Sequence, residues 1–147
     1  MRDRFAGFEQ ALAESGLKPF SRIGLEPTVE GANRDMRDYL QTEPELPDAF
    51  FAGNDIIAVG VSMALKRAGY KLPRDISIVG MDDMPMCQVV EPTLSTVRVD
   101  KQRLGATAVA RLIAMIDGQT QIERTRLGVS YIERDSVRTL QNGEKHV

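Results

Sequence analysis

The sequence predicts an α/β fold, a mainly parallel sheet with flanking helices, and three observations carry that prediction. Segments with helical spacing of apolar residues alternate with short strand-like runs along the chain, the pattern of parallel-sheet proteins. The run Ile76-Ser77-Ile78-Val79-Gly80 does not alternate and is rich in β-branched residues, as a strand covered on both faces should be. Two apolar runs also end in polar steps: Phe50-Phe51-Ala52-Gly53 leads into Asn54-Asp55, and Ile76 to Met81 leads into Asp82-Asp83. Ligands of open α/β sheets sit in the crevice outside the carboxyl ends of the strands, so this spacing points to a small-molecule cleft.

Each element follows from local chemistry. A helix is expected over residues 3–14, where Phe5, Phe8, Ala11 and Leu12 recur at three- and four-residue spacing before Gly16. A short strand is expected at 22–25. A second helix over 29–41 has Thr28 as N-cap and Met36, Tyr39 and Leu40 facing inward. After the 44–47 linker come a strand at 49–52 and a third helix opened by Asp55 as its cap. Gly60 inside that helix suits close packing onto the sheet, and Met36, Met63 and Met115 sit at core spacing. Beyond the 76–80 strand, residues 84–90 have room for one helical turn. A strand at 95–99 then feeds a long amphipathic helix with Asp100 as N-cap, Leu104, Ala108, Leu112 and Ile116 on its apolar face and Gly118 as terminator. A last strand over 125–133 alternates Leu127, Val129 and Tyr131 against Arg126, Gly128 and Ser130, and from Thr139 on the tail is polar and expected to fray. The order begins with a helix, so the strand that should feed it is absent, and a chain truncated at its front is expected.

Composition narrows the function. A chain of 147 residues is long enough for one domain with a real core. Its net charge of −2 leaves no basic footprint for nucleic acid. Cys87 is the single cysteine, which excludes an internal disulfide and multi-cysteine metal sites and reads as a small packed hydrophobe. The first residues carry no apolar signal segment, and no apolar run approaches the roughly 20 residues that span a bilayer, so no membrane partner and a cytoplasmic location are expected. The only histidine, His146, lies in the tail. No cofactor, metal site or catalytic group is expected: no glycine-rich phosphate loop occurs, and no nucleophile, base and orienting group converge.

The candidate binding residues lie at the strand ends. Asn54 offers one acceptor and two donors, which suits a sugar diol or a purine edge, and equally a bond to backbone in its own turn. Asp82 and Asp83 are adjacent, so their side chains diverge: one should face a ligand and the other should cap or meet solvent. Arg4, on the first turn of the first helix, reads on its own as a surface arginine.

These residues lie in ordered motifs. They are Arg4-Phe5-Ala6-Gly7-Phe8, Phe51-Ala52-Gly53-Asn54-Asp55 continuing to Ala58-Val59-Gly60, and Pro73 through Asp83. Pro92-Thr93-Leu94-Ser95-Thr96-Val97, Leu104-Gly105 with Ala108, and Glu133-Arg134-Asp135-Ser136 follow. In this set the chain resembles the effector-binding domain of the LacI/GalR family of bacterial transcription repressors. The resemblance implies a periplasmic-binding-protein-like fold of two α/β subdomains hinged around a cleft, of which this chain carries most of the C-terminal one. Residues 1–94 would belong to that subdomain, 95–118 would be the strand and helix that cross to the N-terminal subdomain, 119–138 would return, and 139–147 would be the polar tail.

The resemblance further implies that Arg4, Asn54 and Asp82 line the cleft. Pro27 stands where many relatives place a stacking aromatic, and Met81 replaces the usual aromatic before Asp82. The implied function is effector sensing in a LacI-type repressor, with a sugar, sugar phosphate or purine as ligand. The implied assembly is a homo-oligomer, expected as a dimer, which reaches DNA only through a headpiece absent from this chain. A transport-type sugar-binding protein, or a truncated product without ligand function, is the alternative.

Overall fold

The protein is described from a computed structural model that covers residues 2–121 and 124–139. The elements run α1 (Arg2–Glu14), α2 (Val29–Leu40), β1 (Ala49–Phe51), α3 (Asp55–Arg67), β2 (Ser77–Met81), β3 (Ser95–Val99), α4 (Lys101–Ile116) and β4 (Val129–Ile132), with a 3₁₀ turn at Pro85–Gln88. The strands form one open sheet in the order β1-β2-β3-β4, parallel except for β4, which pairs antiparallel with β3. The expected α/β class is what forms.

Side-chain caps set the helix starts. Thr28 Oγ1 accepts the Gly31 N–H at 3.0 Å, and Asp100 Oδ1 accepts the Arg103 N–H at 2.9 Å. At α3 the cap is Asn54 rather than Asp55: Asn54 Oδ1 takes the Ile57 N–H at 2.8 Å, while Asp55 is fully buried as the first helical residue. α4 closes at Gly118, whose φ of 92° is a left-handed turn that a side chain would strain.

α2 packs on α3 and α3 packs on β2, and Met36, Ala58, Ala64, Leu65 and Ile78 are fully buried in this core. A Cβ on Gly60 would stand 2.6 Å from the Val29 carbonyl oxygen and 2.7 Å from Ala32 Cβ, so this glycine brings α3 against α2, not against the sheet as expected. Only Met36 of the three core-spaced methionines is inside; Met63 and Met115 are exposed. Cys87 is buried, and burial pushes its thiol pKa up to about 12, with a hydrogen bond to Asp55 adding to the shift.

Two strands differ from expectation. Residues 22–25 are extended but unpaired, because β1 is the end of the sheet and no strand lies between. The last strand covers only Val129–Ile132, since its partner β3 ends at Val99, opposite Val129, and the chain then turns into α4. No residue of α4 is buried, and Leu104, Leu112 and Ile116 face water. Beyond residue 139 the tail lies outside the described residues.

Candidate functional site

The polar groups converge where β1 and β2 end. The Asp82 N–H continues the ladder by donating to the Val97 carbonyl at 2.9 Å. The chain then turns through two non-glycine residues with positive φ, Asp82 at 103° and Asp83 at 47°. Such conformations cost about 1–3 kcal/mol each and persist only where their surroundings hold them.

Asp55 does much of that holding. One carboxylate oxygen accepts the Met84 N–H at 2.7 Å and the other accepts the Thr96 hydroxyl at 2.6 Å, so α3 ties the turn after β2 to strand β3. Gly80 makes room for this: a Cβ there would lie 2.3 Å from Asp55 Oδ1. Asp83 supplies the second anchor. Its carboxylate, 8% exposed, accepts from Arg98 Nε at 2.6 Å and from an Arg134 terminal nitrogen at 2.7 Å. Burial raises its pKa, but the hydrogen bonds from Arg134 and Arg98 prevail and hold the carboxyl below the ordinary aspartate value.

The 134–136 segment is itself locked between strands. β3 begins at Ser95, opposite Val79, so Ile78 has no strand partner on that side. Ser136 takes its place: the Ile78 N–H donates to the Ser136 carbonyl at 2.8 Å, and Ser136 Oγ donates to the Ile78 carbonyl at 2.6 Å. Ser136 Oγ also accepts the Ser95 N–H at 2.8 Å. Arg134 is carried to Asp83 by this splice.

With its backbone fixed, Asp82 aims its carboxylate at Arg4. One Arg4 nitrogen lies 3.2 Å from Asp82 Oδ1, and the other donates to the Gly53 carbonyl at 2.8 Å. Both side chains stay partly open, at 35% and 27% exposure. The residue after Gly53 is Asn54, whose Oδ1 is spent on its cap, so its Nδ2 donors are what it can offer a ligand. The two aspartates diverge as expected, but Asp83 neither caps nor meets solvent; it is ion-paired. Arg4, Asn54 and Asp82 thus gather at adjacent strand ends. Pro27 is exposed in the bend before α2, and the bonds that link Arg4, Gly53 and Asp82 do not involve it.

Chemically the cluster combines a half-open carboxylate acceptor, guanidinium donors and amide donors, a set suited to hydroxyl-rich molecules. A cavity of about 350 Å³ runs beside Asp82 and Asp83, bordered by Arg98, Asp100 and Ser130. Sequence reasoning missed Asp55, Thr96, Arg98 and Arg134 as the frame of the site. Arg134 and Ser136 stand in a recognised motif, yet nothing local to them reveals the partner some 40 to 60 residues away.

The family described as periplasmic binding protein-like domain matches residues 1–137. The HTH-type transcriptional repressor PurR of Haemophilus influenzae is 35% identical over 95% of this chain and 43% of its own length. The HTH-type transcriptional regulator GntR of Escherichia coli is 32% identical over 78% of this chain and 34% of its own. Among solved structures, the lac repressor dimer bound to operator and the anti-inducer ONPF aligns with a TM-score of 0.85 at 28% identity, over 94% of this chain and 48% of that one. A LacI family transcriptional regulator from Arthrobacter sp. FB24 in complex with lactose aligns with a TM-score of 0.73 at 33% identity, over 88% and 48%. The chain spans less than half the length of these relatives.

Proposed function

Because this chain belongs to the periplasmic binding protein-like family, and within it to the effector-binding domain of LacI-family regulators, we propose that it is the effector-sensing portion of a LacI-type bacterial transcription repressor. Arg4, Asn54 and Asp82 contact a small hydroxyl-rich effector, and Pro27 forms an apolar wall of the same cleft. The observation that carries this reading is the half-open Arg4–Asp82 pair at the carboxyl ends of the strands, with the Asp82 backbone strained into place. The effector class is a sugar, sugar phosphate or purine, and the protein acts by binding rather than by catalysis, in the cytoplasm. No helix of the described residues is long and apolar enough to cross a membrane. DNA is reached through a headpiece that these residues do not include, and effector binding shifts the population of hinge angles that the headpiece reads.

Residues 1–94 act as the C-terminal subdomain, 95–118 as the crossover to its companion and 119–138 as the return. The bare stripe of Leu104, Leu112 and Ile116 on α4 supports the crossover and favours self-association as a dimer. Light scattering at low micromolar concentration should find a dimer; a well-folded monomer of 16.3 kDa would overturn the assembly.

Calorimetry with lactose, ribose, a sugar phosphate and hypoxanthine tests the site in this chain. Hydrogen bonds to a charged group are worth about 1.5–3 kcal/mol, so Asp82→Ala should weaken the effective ligand at least ~10-fold. Unchanged affinity in a folded variant removes Asp82 from the site.

A further inference from the structure

Strand register brings a second arginine to the cavity of about 350 Å³ beside Asp82 and Asp83. Arg98 of β3 stands directly opposite Ser130 of β4, so the two side chains share one face of the sheet. Thr96, two residues earlier, lies on that face as well, and its hydroxyl reaches Asp55. Lys101 and Gln102 of α4 border the same cavity, and every residue that borders it lies between positions 82 and 130.

The hydrogen-bonding capacity left open here is uneven. Both oxygens of Asp83 are committed, one to Arg134 and the other to Arg98 Nε. That pair uses only the Nε of Arg98, a side chain 54% exposed, so its two terminal nitrogens remain as a fork with no hydrogen bond among the described residues. The side chains of Lys101, Gln102 and Ser130 make none there either. Asp100 spends one oxygen on the Arg103 N–H, and Asp82 lends one to Arg4. Free donors therefore gather around Arg98, and free acceptor capacity lies at Asp82.

Charge points the same way. Arg4, Arg98, Lys101 and Arg134, set against Asp82, Asp83 and Asp100, leave one positive charge over. A neutral sugar would satisfy Asp82 and leave the Arg98 fork to water, and a purine base brings no anionic group to meet it. A phosphate does, because its paired oxygens match a guanidinium fork bidentately. Sites for small molecules measure roughly 300–1,000 Å³, and a cavity at the small end of that range suits a single phosphorylated ring.

We propose that the effector is a phosphorylated monosaccharide, with its hydroxyls on Asp82 and its phosphate gripped by the Arg98 fork. Lys101 adds a second positive charge, and Asp83 positions the fork by holding Arg98 Nε. The assignment rests on the effector reading above and narrows it to one ligand class.

Calorimetry on the 147-residue chain with ribose 5-phosphate, glucose 6-phosphate, the two parent sugars and inorganic phosphate tests it. At least one phosphorylated sugar should bind ~10-fold or more tightly than its parent sugar and than inorganic phosphate. Arg98→Gln should remove at least ~10-fold of that affinity, and Arg98→Lys, which keeps the charge without the fork, should recover part of it. Lys101→Gln, at a side chain bonded to nothing in the fold, should cost about 3-fold. A parent sugar that binds as tightly as its phosphorylated form would overturn the phosphate assignment and leave the effector reading with a neutral ligand. Phosphorylated sugars that bind no tighter than inorganic phosphate would overturn it through the effector reading itself, as would no binding by either. Unchanged affinity in folded Arg98→Gln would place the anion elsewhere and overturn the role of the fork.

Discussion

On the β2–β3 side of the sheet, each strand end is tied down by side chains from distant parts of the chain, whereas on the β1 side the sheet's outer edge meets only α1 and an unpaired extended segment. Asp55, Thr96, Asp83, Arg134 and Ser136 form the first region, and among the described residues no buried side-chain polar atom lacks a partner. In the second, no described residue of α1 is buried, and the helix is held by the Phe8–Phe51 stack, the Arg4 bonds and Arg22 over the Phe5 ring at 4.2 Å. The difference teaches where rigidity comes from. Satisfied burial holds a strained turn in position, whereas the outer edge of β1 has no such ties from distant side chains.

The comparison breaks most visibly at Asp55. Asp55→Ala strips the Met84 N–H and the Thr96 hydroxyl of their acceptor inside the core, and should cost about 3–5 kcal/mol by urea unfolding. A loss under about 1 kcal/mol would mean that the turn after β2 does not depend on this clamp.

Arg134→Ala should cost less, about 1–3 kcal/mol, because Arg98 still pairs with Asp83. It should also change the acid limb of stability. The folded-state pKa of Asp83 lies below its unfolded value of 3.8, so its contribution is full above that value and fades as pH falls through the lowered one. Without Arg134 burial has less opposition, the folded pKa rises, and acid unfolding should begin at a higher pH than in the parent chain. Superimposable acid limbs would remove Arg134 from this role.

Phe8→Ala probes the open side and should have the smallest effect, below about 1 kcal/mol globally, because its stack on Phe51 is half-exposed. A loss equal to that of Asp55→Ala would erase the contrast between the two regions.

Much of the fold was legible in the chain. The starts of α2 and α4 followed from their caps, α3 began one residue earlier than its expected cap implied, and the buried β2 followed from its β-branched run, because these signals act within a few residues. Asn54 and Asp82 were singled out by their strand-end position and Arg4 only by its motif, and the structure brings Arg4 to Asp82 and to the Gly53 carbonyl beside Asn54. What was not legible concerns partners. Asp55 sits where a cap belongs, and only the approach of β3 through Thr96 turns it into a buried brace. Gly60 reads equally as packing on a sheet or on a helix until α2 is in place.

Periodicity, β-branching and end-capping thus decided, from the chain alone, which segments become helices and strands and which polar residues stand at the strand ends. The tertiary structure alone decided that residues 22–25 stay unpaired, that Asp83 is neutralised by Arg98 and Arg134, and that α4 lies bare. The physical reason is range. Helix and strand preferences are settled by neighbours one to four positions away, whereas pairing an edge, burying a carboxylate or covering an apolar stripe depends on which distant segment arrives beside it.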